Sequence, residues 1–176
     1  MAKHVEIRPL AQGDDLSDFS CGQPALDRFF AHYAGQNQFK LHLAVTYVAT
    51  IEGRVVGCAT VAASSLERAS VPSTRLRKRL PGYPLPVLRL ARLGVDIRAQ
   101  GSGLGKALLR HVIALALEQR DRFGCIGVVT DAKTEAVRFY EALGFVSLGE
   151  VREGLLVEEP SPMFLAIDTA ARAMEP

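Results

Sequence analysis

The segment Val95-Asp96-Ile97-Arg98-Ala99-Gln100-Gly101-Ser102-Gly103-Leu104-Gly105-Lys106 constrains the fold more than any other stretch of this chain. An apolar run from Val87 to Val95 leads into it. An amphipathic run leads out, with Leu104, Ala107, Leu108, Val112, Leu115 and Ala116 on one side of a helix reaching Phe123. A strand that passes through glycines into a helix leaves backbone N–H groups unpaired at the helix N-terminus. With the helix dipole, they form a site for a phosphate or pyrophosphate. A Walker A loop would need Gly where Gln100 stands and Ser or Thr where Ala107 stands. The dinucleotide pattern G-x-G-x-x-G/A meets Lys106 from Gly101 and Leu108 from Gly103, so it fails in both frames. The pattern Gln/Arg-x-x-Gly-x-Gly/Ala does fit, in two overlapping frames that begin at Arg98 and at Gln100.

The remaining elements predict a mixed α/β (α+β) fold: one domain over residues 1–176, its central twisted sheet flanked by helices. His4 to Leu10 alternates as a strand, and a helix starts at Pro24 with Leu26, Phe29, Phe30 and Tyr33 on its buried face. Ala44–Ile51 and Arg54–Ala63, separated by Glu52-Gly53, read as a hairpin. Four of the nine prolines fall between 72 and 86 and predict an irregular excursion with a short helical piece at 73–79. Further on, a buried strand is predicted at 125–130, a helix at 134–143 closed by Gly144, and strands at 145–148 and 163–167.

Composition narrows the class. At 48% hydrophobic and 23% charged residues over 176 positions, the chain has enough apolar surface for one core without disulfides or metal. Cys21, Cys58 and Cys125 form no C-x-x-C pair, which fits a reducing cytoplasm. No apolar run approaches a membrane span, and residues 1–6 lack the apolar core of an export signal. His4, His32, His42 and His111 show no ligand spacing, so no metal is expected. The net charge of +2 conceals an asymmetry. Arg68, Arg75, Arg77, Lys78, Arg79, Arg89 and Arg92 lie between 68 and 95 without one acid, while the rest of the chain carries 14 basic residues against 19 acidic ones. A basic segment on an acidic body suggests a local anionic partner, or simply a solvated arginine-rich loop.

In its strand–glycine–helix setting the loop resembles that of the GNAT superfamily of acetyl-CoA-dependent N-acetyltransferases. Thr130 to Phe145 resembles the second half of the GNAT core, where a helix carrying A-x-x-F-Y-x-x-x-G-F follows the fifth strand. Phe19–Phe29, Ala34–Gln38, Tyr83–Val87 and Arg89–Val95 further resemble the GNAT toxins of bacterial toxin–antitoxin modules. Gly94 stands where small Ala is also common in them. Residues 149–162 match no pattern.

The resemblance implies the following roles. Acetyl-CoA would be gripped by Arg98, Gln100, Gly101, Ser102, Gly103, Leu104, Gly105 and Lys106, with Lys133. Backbone N–H groups at Leu93, Gly94 and Val95 would face the thioester oxygen, with Gly94 suited to close approach by a ligand. Tyr140, the second aromatic of Phe139-Tyr140, would protonate the departing thiolate, while Phe139 packs in the core. An α-amine titrates near 7.7–8.0, so a dedicated base is dispensable, and Asp96 reads as a turn or cap residue. Arg75, Arg77, Lys78, Arg79, Arg89 and Arg92 would hold tRNA phosphates or dock an acidic antitoxin tail. The implied activity is acetylation of aminoacyl-tRNA, which blocks translation. The implied partners are a ribbon-helix-helix antitoxin and a second copy of the chain in a homodimer. Two alternatives remain open on sequence: a GNAT enzyme acting on a small amine or protein N-terminus, and a non-catalytic CoA-sensing module. Tyr140 and the intact glycine loop weigh against the last.

Overall fold

A computed structural model describes residues 3–148 and 160–176. The elements in chain order are β1 (Val5–Pro9), α1 (Pro24–His32), α2 (Ala34–Phe39), β2 (Val45–Ile51), β3 (Arg54–Leu66), α3 (Thr74–Arg77) and β4 (Leu85–Val95). They continue with α4 (Leu104–Arg122), β5 (Gly127–Ala132), α5 (Val137–Glu141), β6 (Val146–Ser147), β7 (Ser161–Ala166) and α6 (Ile167–Ala173). The seven strands form one mixed sheet in the order β1-β2-β3-β4-β5-β7-β6. The chain divides into two compact units: Met1–Ala62 with Leu90–Val112, and Ala63–Arg89 with Ile113–Pro176.

In the first unit, β1 and β2 pair antiparallel, as do β2 and β3. The β2–β3 connection is the two-residue turn expected, with φ of 51° at Glu52 and 76° at Gly53. Positive φ at both central positions gives the twist that matches the flanking strands. Helix α1 begins with proline as expected, where a missing N–H costs nothing. It buries Phe29 and Phe30 among Leu10, Leu16, Phe19, Cys21, Val48, Val55 and Cys58. Tyr33 departs from the expected face and is 51% exposed. It is the C-cap of α1, where the chain turns into α2, and Ala34 takes the buried place instead.

In the second unit, the core gathers Val87, Val129 and Phe164 with Leu66, Leu76, Ile126 and Leu148 around them. The proline-rich excursion holds only four helical residues, α3, whose N-cap Ser73 accepts a hydrogen bond from the Leu76 N–H. The helix expected at 134–143 is instead a 3-10 turn at Thr134–Ala136 followed by α5. Gly144, with φ of 101°, ends it as expected. Strand β5 lies two residues later than the apolar pattern suggested, since its ladder to β7 begins at Gly127 opposite Ala166. The last strand ends at Ala166, and Ile167 opens α6 rather than closing a strand. Of the unmatched stretch 149–162, residues 149–159 lie outside the described residues, while Ser161 and Pro162 begin β7.

Gly127 sets the spacing of β5 and β7. A Cβ there would overlap the Leu165 carbonyl oxygen and lie 2.5 Å from Phe164 Cε2. Gly127→Ala is therefore predicted to cost about 3 kcal/mol, as overpacking against backbone does. Urea denaturation measures this, and a midpoint equal to wild type would refute the packing account.

Candidate active site

The glycine loop of the first unit is held from behind by one carboxylate. Asp96 is 1% exposed and directly follows β4. Its Oδ1 accepts from Arg98 N–H and Arg98 Nε, both at 2.9 Å, and its Oδ2 accepts from Arg98 Nη2 at 2.9 Å and from Ser20 N–H at 3.3 Å. Its backbone carbonyl accepts from Ala99 N–H at 2.8 Å. Asp96 is thus the turn residue that its place after the strand predicted, with both carboxylate oxygens occupied by donors.

Arg98 also donates to the Asp18 carbonyl at 2.9 Å and lies 3.3 Å from the Asp18 carboxylate. Its guanidinium therefore ties the segment before α1 to the loop. Gln100 adds a second tie, donating from Nε2 to the Cys21 carbonyl at 3.1 Å and to the Val95 carbonyl at 3.0 Å. Asp27 braces the same segment from α1, accepting from Cys21 N–H at 2.8 Å and from the Ser20 hydroxyl at 3.0 Å. Burial opposes its charge, but these hydrogen bonds prevail and hold its carboxyl below the usual range. Asp18 did not stand out in the sequence, because it acts through Arg98, eighty residues along the chain.

After these ties the loop opens outward. Gly101 and Gly103 have φ of 79° and 85°, and a Cβ on either would meet no atom within 4 Å. The glycines serve backbone conformation and leave free space beside the chain. The Ser102 hydroxyl turns back to donate to the Ala99 carbonyl. Helix α4 starts at Leu104, which favours the frame beginning at Gln100, with Gly103 just outside the helix and Gly105 inside its first turn. Leu104 is buried and Lys106 is exposed. The arrangement suits a pyrophosphate: exposed glycines, the unpaired N–H groups of a 19-residue helix, and no side chain in the way.

Leu93, Gly94 and Val95 close β4 ahead of this loop. Gly94 has a packing reason of its own. A Cβ on it would lie 3.2 Å from Phe30 Cε2 and 3.3 Å from Cys21 Cβ, so the glycine makes room for α1 and the segment before it. The Cys21 thiol there is pushed up to about 11, chiefly by burial, and stays protonated at neutral pH.

In the second unit, α5 lays Tyr140 over the sheet at 5% exposure. Its ring makes edge contacts with Phe139 and Phe145 at centroid distances of 5.1 and 5.2 Å. Burial pushes the phenol pKa above its ordinary value, and a hydrogen bond with the Thr130 hydroxyl partly offsets this. Thr130 was missed on sequence, although a hydroxyl in the buried run Gly127–Thr130 was a visible signal. Lys133 is exposed between β5 and the 3-10 turn.

The basic segment separates into two groups. Arg77 donates to the Val71 carbonyl and the Thr74 hydroxyl. Arg89 pairs with Asp131 at 3.3 Å. Arg92, in the first unit, lies 4.0 Å over the Phe29 ring. Arg75, Lys78 and Arg79 are exposed and make no ion pair among the described residues.

Residues 42–147 match the acetyltransferase (GNAT) domain. This chain is a GNAT acetyltransferase. Over 146 residues, 82% of this acetyltransferase and 86% of the relative, it is 35% identical to a tRNA-acetylating toxin of Mycobacterium tuberculosis. Among solved structures, it resembles AtaT complexed with acetyl-methionyl-tRNAfMet at a TM-score of 0.83 and 26% identity, covering 98% of this chain and all of the other. It also resembles a tyrosine-to-phenylalanine mutant of the AtaT toxin bound to acetyl-CoA and the C-terminus of the antitoxin AtaR. There the TM-score is 0.75 and the identity 25%, covering 97% of this chain and 98% of the other. No helix among the described residues is long and apolar enough to cross a membrane.

Asp96→Ala removes the acceptor shared by Arg98 and Ser20. It is predicted to lower stability by about 2–3 kcal/mol, the range for charge-assisted hydrogen bonds whose cation still reaches water. Chemical denaturation of the purified variant checks this, and a loss below half a kcal/mol would show that the carboxylate does not hold the segment.

Proposed function

We propose that this chain is the toxin of a toxin–antitoxin pair, transferring acetyl from acetyl-CoA to the α-amino group of aminoacyl-tRNA and so blocking translation. The observation that carries the reading is its similarity, across most of both chains, to a toxin named for tRNA acetylation. The open glycine loop, the buried phenol and the exposed Arg75, Lys78 and Arg79, which make no ion pair among the described residues, support it.

Acetyl-CoA supplies the acetyl group as a thioester. The N–H groups of residues 100–105 hold its pyrophosphate, with Lys106 adding positive charge at the start of α4, and Lys133 is a further cation for the same cofactor. Backbone N–H groups at Leu93–Val95 receive the charge that develops on the carbonyl oxygen. Arg98 contributes through the loop's shape, because its guanidinium is committed to Asp96 and Asp18. The amine nitrogen bonds to the carbonyl carbon, the carbon–sulfur bond breaks, and the Tyr140 hydroxyl gives its proton to the leaving sulfur. A phenol whose pKa is raised by burial stays protonated at neutral pH, as a proton donor must. An α-amine titrating near neutrality supplies its own neutral fraction. Arg75, Lys78 and Arg79 offer free charge to the tRNA backbone, a positioning role. Arg77, Arg89 and Arg92 are already engaged within the chain. The reading places the protein in the cytoplasm, as a homodimer of one GNAT domain per chain, neutralised by a ribbon-helix-helix antitoxin.

Tyr140→Phe keeps the ring and removes the proton. Acetylation should fall by about 10²-fold or more with acetyl-CoA affinity unchanged, as for loss of a general acid. Turnover above half of wild type would remove Tyr140 from the mechanism. Replacing Arg75, Lys78 and Arg79 together with Ala should reduce kcat/KM on charged tRNA steeply and flatten its dependence on salt. A free amino acid ester, which lacks the phosphates, should respond little. Equal losses on both substrates, or none on tRNA, would exclude phosphate binding by these three residues.

A further inference from the structure

Tyr140 is fixed by packing on its ring, but packing alone leaves the phenolic oxygen without a defined partner in a dry place. Strand β5 supplies one. Val128, Val129 and Ala132 are at most 2% exposed, and Thr130 stands among them at 4%. Valine has nearly the same shape and an equal preference for strands, so packing and propensity give no reason for a hydroxyl there. A buried hydroxyl is costly unless it is hydrogen-bonded. The Thr130 hydroxyl is bonded to the Tyr140 phenol.

We propose that Thr130 is a positioning residue for acetyl transfer, its buried hydroxyl aiming the Tyr140 phenol and supporting the oxygen that gives up the proton. The proposal rests on the reading of Tyr140 as the proton donor. As the carbon–sulfur bond breaks, the proton passes from Tyr140 Oη to the sulfur, and negative charge gathers on the phenolic oxygen. The Thr130 hydroxyl keeps its own proton and donates it as a hydrogen bond to that oxygen. The proton shed by the amine on becoming an amide, relayed through water, restores the phenol. A hydrogen bond to a charged oxygen is about twice as strong as one to a neutral oxygen. The contact therefore strengthens toward the transition state and acts on kcat rather than on binding.

The experiment compares Thr130→Val, which keeps the shape and loses the hydroxyl, with Thr130→Ser, which keeps the hydroxyl and loses a methyl group. Each is made in the wild-type chain and in Tyr140→Phe, and kcat and the KM for acetyl-CoA are measured on charged tRNA. Thr130→Val should lower kcat about tenfold, the effect of one charge-assisted hydrogen bond, with KM unchanged. Thr130→Ser should stay within about twofold of wild type. In the Tyr140→Phe background Thr130→Val should add no further loss, because its partner oxygen is gone. A serine variant as poor as the valine variant would make Thr130 a packing residue and overturn the proposal. So would a valine effect that persists without the phenol. A harmless valine variant beside an inactive Tyr140→Phe defeats the role of Thr130 alone, whereas an active Tyr140→Phe defeats the reading of Tyr140 itself.

Discussion

A carboxylate at 1% exposure has to be matched by donors, and Asp96 draws them from two parts of the chain. One donor is its neighbour Arg98; the distant one is Ser20 in the segment before α1, more than seventy positions earlier. The loop that leaves β4 can therefore take up only a narrow set of shapes. Arg98 is spent on this tie, as is the Gln100 side chain on the Cys21 and Val95 carbonyls. Only backbone remains to face outward at Gly101 to Gly105. Rigidity behind the loop and bareness in front of it have the same cause. A site made of N–H groups is useful only when those groups are already aimed.

The second unit meets the opposite problem. The proton donor we propose there is a single side chain, so it has to be surrounded rather than cleared. Phe139 and Phe145 hold the Tyr140 ring by its edges, and Thr130 takes the one polar atom. The same burial that restrains the phenol raises its pKa, which suits an acid and would hinder a base. The basic segment follows a similar economy. Arginines that brace the fold, such as Arg77 on the Val71 carbonyl, are distinct from those left with free charge, such as Arg79.

Much of this was legible in the sequence. Proline at the start of α1, two turn residues between β2 and β3, and glycines ahead of an amphipathic α4 each carry local chemistry that needs no distant partner. The glycines at the entry to α4 could be read from spacing, and the charge asymmetry from counting, while Tyr140 was singled out by the resemblance. These readings hold because backbone conformation and apolar periodicity are decided within a few residues.

What needed the tertiary structure was the use each side chain makes of residues far away. The side chains of Arg98 and Gln100 are tied to the segment before α1. Gly94 also makes room for Phe30 and Cys21, a packing reason that spacing along the chain does not reveal. Tyr33 kept the helical spacing of a core residue but falls at the end of α1, where the chain turns away. The sequence determined that strands, turns and a glycine-led helix start form in this order, because those are local properties of the backbone. Only the packed chain decided which polar groups were left free to act. A hydrogen bond formed across seventy residues withdraws a side chain from function just as fully as one formed with a neighbour.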